Sequence, residues 1–272
     1  VENLESNIKK AEYAGIYYPS DATELGEIIE QKVGEFGTFG PDLNNLRIRA
    51  LIVPSGGYSY SGKVAAAAYK ELYGRKFKKV VLVGATHFIN FEGVALSNAD
   101  YFETPLGKVK VDKAAVEHIA QRTNFAFNDL AFAKEYSLEL QLPFLQKILG
   151  EFELIPMVTG GKANYKEIAQ EVAELLNDDV LIVISSNLSH FLDEKSAREA
   201  DQLMIESLKE MDSEKIIKDG EASALFALVT VNEIALIKGW TPIFLNYSNS
   251  AEAGDDPASV VGYGSLIYFS AE

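Results

Sequence analysis

The chain has 272 residues, 47% of them apolar, and a formal net charge of −15; this is enough for a sizeable α/β core and argues against disorder. Such a charge repels a phosphate backbone, which sets nucleic acid aside as a partner, and no run of about 18 apolar residues offers a membrane span. There is no cysteine, hence no disulfide framework or thiolate ligand; no signal-like segment opens the sequence, and the expected location is cytoplasmic.

In chain order, an amphipathic helix is predicted near Asp21–Val33, capped by Ser20 or Asp21, with Glu24 three residues after Asp21. A strand near Arg47–Val53 and an Ala-rich helix near Gly62–Leu72 follow. After a strand near Lys79–Gly84, the stretch from Gly93 to Asp112 reads as short strands around Thr104-Pro105-Leu106-Gly107. There Val109 and Val111 alternate with Lys108 and Lys110, a period of two. Helices near Lys113–Arg122 and Lys134–Leu149 lead to a strand near Phe152–Val158. Next come a helix near Tyr165–Asn177, a strand near Val180–Ser185, and helices near Glu194–Met211 and Ala222–Lys238. Strands near Pro242–Tyr247 and Val261–Phe269 close the chain. The alternation predicts one α/β domain over residues 1–272: a layered fold with a central mixed, mostly parallel sheet flanked by helices.

Three apolar runs break abruptly into small polar residues. Ala50–Pro54 runs into Ser55-Gly56-Gly57-Tyr58, and Val80–Val83 into Gly84-Ala85-Thr86-His87. Leu181–Ile184 runs into Ser185-Ser186-Asn187-Leu188-Ser189-His190. Ligands of open α/β sheets bind beyond the carboxyl ends of the strands, so these endings are expected to converge on one pocket lined by His87 and His190. The third histidine, His118, lies between the apolar positions of its helix and is expected to face solvent.

Two further segments carry a functional and a plainer reading. Gly57-Tyr58-Ser59-Tyr60-Ser61-Gly62-Lys63 has the spacing of a phosphate-binding loop, but the next residue is Val64, which has no hydroxyl for Mg²⁺. No later strand ends in the Asp that would hold the metal's other side. The segment is read as a strand-to-helix turn. Glu135 and Glu139 are i,i+4 on the expected helix. They could serve acid–base work, or Glu135 could complete a two-His-one-carboxylate metal site. For the pair itself a solvated acidic face is expected, with Leu138 and Leu142 packed inward.

The order of several segments resembles the Memo family across nearly the whole chain. They are Ala14-Gly15-Ile16-Tyr17-Tyr18-Pro19, Gly57–Gly62, Thr104-Pro105-Leu106-Gly107, Glu135–Pro143, Ser185-Ser186-Asn187 with His190, and Ser259-Val260-Val261-Gly262-Tyr263. That family is similar in fold to class III extradiol dioxygenases, whose non-haem iron lies at the strand ends. The resemblance implies a site with a His in Pro-His-Ala-Gly-Tyr, a second His after a Gly-Pro-x-His turn, and a late Cys. It adds an Asp and a His in Ser-Ser-Asp-x-x-His and a His in Glu-His-Ser. This sequence departs from that pattern at the functional positions. By motif, the first His is Ser55, the Asp is Asn187 and the Glu-His-Ser histidine is Tyr136; by spacing back from Gly239, the Cys is Ser223. His87 and His190 are kept.

Serine hydroxyls are poor ligands for first-row metals beside imidazole or thiolate. The expected function is therefore a non-catalytic Memo-like binding or interaction module with its metal ligands mostly lost and no cofactor. Its partner would be a small polar ligand, held through Ser55, Tyr136, Asn187 and Ser223, or a protein. The alternative is a dioxygenase-like metal oxidoreductase with Fe, Cu or Zn on His87, His190 and Glu135, His190 and His87 being the catalytic candidates. A metal-free hydrolase with Ser55 as nucleophile and His190 as base ranks third. Ser55 lies in no Gly-x-Ser-x-Gly elbow, and the His190 segment holds no acidic partner.

Overall fold

The three apolar runs become neighbouring parallel strands at the centre of a twelve-stranded sheet. The computed structural model describes residues 6–35 and 46–271. Its strands are β1 (Ile8–Lys9), β2 (Arg47–Val53), β3 (Lys79–Ala85), β4 (Val94–Leu96), β5 (Tyr101–Thr104) and β6 (Gly107–Val111). They continue with β7 (Ala126–Phe127), β8 (Glu153–Thr159), β9 (Val180–Ser185), β10 (His190–Leu192), β11 (Thr241–Asn249) and β12 (Val260–Ser270). Among the described residues the sheet runs β1-β5-β6-β8-β3-β9-β2-β12-β10, with β11 on β12 and β4 between β8 and β7.

The core of this sheet, β8-β3-β9-β2, is parallel, and β12 closes it antiparallel to β2. The domain is thus α/β with a mixed, mostly parallel central sheet, as the alternation of elements predicts. Continuous Val, Ile and Leu runs suit strands covered on both faces, and Leu51, Ile52, Val80, Val81, Leu82, Leu181, Ile182 and Val183 are all fully buried. Register fixes the site: Val53 pairs Ser185 and Val83 pairs Ile184, so β2, β9 and β3 end side by side.

Helices α1 (Ala22–Gly34), α2 (Gly62–Tyr69), α3 (Lys113–Arg122), α4 (Asp129–Ala133) and α5 (Leu142–Leu149) precede α6 (Tyr165–Leu175) and α7 (Glu194–Glu210). A short α8 (Ser213–Asp219), absent from the sequence reading, separates α7 from α9 (Leu225–Lys238). Asp21, Asp112, Asn164, Asp193 and Asp212 each cap a helix by accepting an amide hydrogen bond from the third residue beyond. The phosphate-loop look-alike is the turn from β2 into α2, and His118 is exposed on α3. Among the described residues no helix is long and apolar enough to cross a membrane.

The expected helix Lys134–Leu149 is a correction. The chain leaves α4 after Ala133, crosses an irregular segment, makes a 3₁₀ turn at Glu139–Gln141, and becomes α-helical only from Leu142. The solvated acidic face is corrected with it, because Glu135 and Glu139 are only 3% and 4% exposed; Leu138 and Leu142 are buried as expected. The irregular segment lies across the end of β3. A Cβ at Gly84 would stand 2.3 Å from Ser137 Oγ and 2.6 Å from Leu138 Cδ1. Gly84→Ala is therefore expected to cost about 1–3 kcal/mol of stability by overpacking, readable in chemical denaturation, and to push Glu135 away from β3.

Candidate functional site

Asn187 ties two of the family-matched positions together. Its Oδ1 accepts from the Ser55 amide at 2.8 Å, and its own amide donates to Ser223 Oγ at 2.9 Å. The Ser223 amide donates to the Asn187 carbonyl at 3.2 Å. Ser186 Oγ donates to the same carbonyl at 2.8 Å and accepts from the Ala224 amide at 3.1 Å. The ends of β2 and β9 and the entry to α9 are thus stapled by neutral groups. Ser55 is 1% exposed, and its Oγ has no hydrogen-bond partner among the described residues.

The second half of the site grows from the irregular segment. Glu135 Oε1 accepts from His87 Nδ1 at 2.9 Å and from the Ser137 amide at 2.9 Å, while Oε2 accepts from the His87 amide at 2.9 Å. A carboxylate can only accept here, so Nδ1 carries a proton directed at Glu135. Tyr136 stacks on the His87 ring, with centroids 4.5 Å apart. It also meets Tyr13 and Tyr17 edge-on at 5.7 and 5.4 Å. Burial and then Glu135 push the Tyr136 phenol up, so it stays neutral.

Glu139 performs a different task from its sequence partner. It accepts from the amides of Glu12 and Tyr13 and from Tyr18 Oη, at 2.9, 2.8 and 2.7 Å. It thereby anchors the N-terminal segment whose Tyr13 and Tyr17 rings cover Tyr136. Spacing alone did not separate these two carboxylates.

His190 lies beyond β9, near enough to His87 for that ring to oppose its charging. Burial first, and His87 second, hold the His190 pKa below 6.5, against the Leu188 carbonyl, which raises it. The folded state thus prefers the neutral ring. That contribution to stability is complete above the unfolded value of about 6.5 and is lost as pH falls through the lower folded value. Between pH 7.5 and 5, wild type should lose more unfolding free energy than His190→Gln; equal losses in a urea series would refute this.

A buried carboxylate holds the flank of His190. Asp201 accepts from the Ser189 amide at 2.8 Å and from Tyr247 Oη at 2.7 Å, and burial raises its pKa. A Cβ at Gly262 would come within 1.9 Å of Asp201 Oδ2, which accounts for glycine in the Val261-Gly262-Tyr263 segment. Asp201 carried a sequence signal: it occupies the buried stripe Ala197, Asp201, Met204, Ile205, Leu208 of α7, where a lone carboxylate demands partners.

The residues were tested against a strand-end metal by their donor chemistry. His87 has the form of a metal-binding histidine, one ring nitrogen fixed by a carboxylate and the other free. Ser55 and Ser223 offer only hydroxyls, and Asn187 an amide already engaged. Among the described residues no group of three or more His, Cys, Asp or Glu is placed to hold a metal ion. The alternative His87, His190, Glu135 set is not gathered as ligands, because both Glu135 oxygens are taken by His87 and by the amides around it. The residues present therefore do not fit the family's metal.

The profile of the family described as Memo-like protein matches residues 9–267. The chain is 30% identical over 276 residues to a MEMO1 family protein of Nitrosopumilus maritimus, with 96% of this chain and 99% of the relative covered. It is 31% identical over 275 residues to one of Aquifex aeolicus and 32% over 277 residues to one of Thermotoga neapolitana, with the same coverage. With the segment order and this similarity over nearly the whole chain in agreement, the chain belongs to the Memo family.

Proposed function

We propose that this member of the family is a ligand-binding or interaction module on a dioxygenase-like scaffold, working without the family's metal. The observation that carries this reading is the Ser55–Asn187–Ser223 network, in which neutral hydrogen bonds join the chain segments where the resemblance expects His, Asp and Cys. An amide and two hydroxyls hold a polar ligand by hydrogen bonds and neither charge nor polarise a metal-bound substrate. His87 remains fixed on Glu135 through Nδ1, so Nε2 is the ring nitrogen left to a ligand.

Metal analysis of protein purified without chelator tests the reading. Far less than one metal per chain is expected. Stoichiometric iron, copper or zinc would overturn it in favour of the dioxygenase-like alternative on a rearranged site.

A further inference from the structure

Four of the twelve exposed large apolar side chains among the described residues belong to the segments around this site. Tyr60, Phe88 and Phe191 leave the segments that follow the ends of β2, β3 and β9, and Tyr17 leaves the N-terminal turn above them. Phe88 and Phe191 are 52% and 77% exposed. Phe191 holds a left-handed backbone, φ 61°, at an irregularity in the pairing of β10 with β12, and its ring lies 5.8 Å from that of His190. A bulky residue in that conformation is strained, and such strain concentrates at ligand sites. Inside this collar Tyr136 touches Tyr17, Phe88 and His87.

The charged groups around these rings are mostly carboxylates, with the Lys9 ammonium 3.8 Å from Glu139 Oε2. Glu135, Glu139 and Glu12 bear on Tyr13, whose phenol is pushed up to about 12 by burial, by Tyr17 and by those three. Asp255 and Tyr60 bear on Tyr263, and Tyr263 in turn bears on Tyr136. The Tyr13, Tyr136 and Tyr263 phenols remain neutral and offer ring faces instead of charge. Ser55 Oγ is buried at the end of β2 and has no hydrogen-bond partner among the described residues.

We propose that the ligand of this site is a small organic cation with an alkylated ammonium group. The proposal rests on the binding-module reading and deepens it. Aromatic faces attract an ammonium through the ring quadrupole, and the surrounding carboxylates add a field of the right sign. The methyl groups of an alkylated ammonium bury against Tyr and Phe, whereas a strongly hydrated primary ammonium would not shed its water as readily. An anion meets the opposite field, and a neutral ligand of the same shape keeps only the apolar contact.

Choline and its uncharged isostere 3,3-dimethylbutan-1-ol separate these cases, titrated by calorimetry into metal-free wild type. Choline is expected to bind about tenfold more tightly than the isostere, the scale of a partly desolvated cation–π contact. Tyr136→Leu should erase the preference. Phe191→Ser, at an exposed position that leaves the core untouched, should weaken it even if the first variant folds poorly. Equal or tighter binding of the isostere, or no choline binding at millimolar concentration, would overturn the cation and leave the module standing. Stoichiometric metal in the purified protein would instead remove the module.

Discussion

Replacing Ser55 by His and Ser223 by Cys is expected to create a metal-binding protein. The introduced imidazole and thiolate would join His87, whose Nδ1 is already held by Glu135 at 2.9 Å while Nε2 is free. Imidazole and thiolate bind first-row metals where neutral hydroxyls do not, so calorimetric titration under reducing conditions should show one site far tighter than any in wild type. Adding Asn187→Asp retains an acceptor for the Ser55 amide and supplies the missing negative charge. Loss of such an outer partner typically costs ~10–100-fold in affinity, so the triple variant should bind tighter by a comparable factor. Ser55 is 1% exposed, and an imidazole there displaces neighbours, so circular dichroism must show a folded chain first. The near-isosteric Ser223→Cys keeps the test open, since with His87 it should already raise affinity for a thiophilic ion such as zinc. Stoichiometric metal in wild type, or a folded triple variant that binds none, would end the reading of a lost metal site.

The pattern of success in reading the sequence follows from physics at particular residues. Strands β2, β3 and β9 are covered on both faces, so their apolar runs are unbroken and their ends abrupt, and Ser55, His87 and Asn187 fall where the runs stop. Asp21 marks the start of α1 in the same direct way, whereas Asp212 gave no notice of α8. The segment from Lys134 to Gln141 was misread because Glu135, Leu138, Glu139 and Leu142 satisfy a 3.6-residue period by coincidence. The counter-signal was Pro143, in the first turn of α5; proline favours a helix start over its interior. Strand β10 and the left-handed Phe191 were not legible, since a three-residue edge pairing and a bulge depend on where β12 lies. Asp201 was legible in principle, as a polar intruder in an apolar stripe, and its partners Ser189 and Tyr247 were not, being 12 and 46 residues away. Local spacing thus marks the strand ends, while the carboxylates packed against them are set by tertiary contacts.

Glu139→Ala is expected to destabilise the protein by on the order of 3 kcal/mol and to free the N-terminal segment before the rest of the fold. Glu139 takes the Glu12 and Tyr13 amides and the Tyr18 hydroxyl. Hydrogen bonds to a charged group are each worth roughly 1.5–3 kcal/mol and do not add fully. Lys9, whose Nζ lies 3.8 Å from Glu139 Oε2 and whose pKa burial lowers, would also lose a counter-charge. The loss should be local, because what Glu139 anchors is short and peripheral, whereas β3 and β9 continue to pair. Hydrogen exchange should therefore accelerate over residues 12–18 with little change in β9, and with Tyr13 and Tyr17 released, Tyr136 should become accessible to nitration. Glu139→Gln, which keeps one acceptor oxygen, should fall between wild type and alanine in both readouts. Uniform exchange across the chain with a loss below about 1 kcal/mol would show that the segment is held by ring packing and not by this carboxylate.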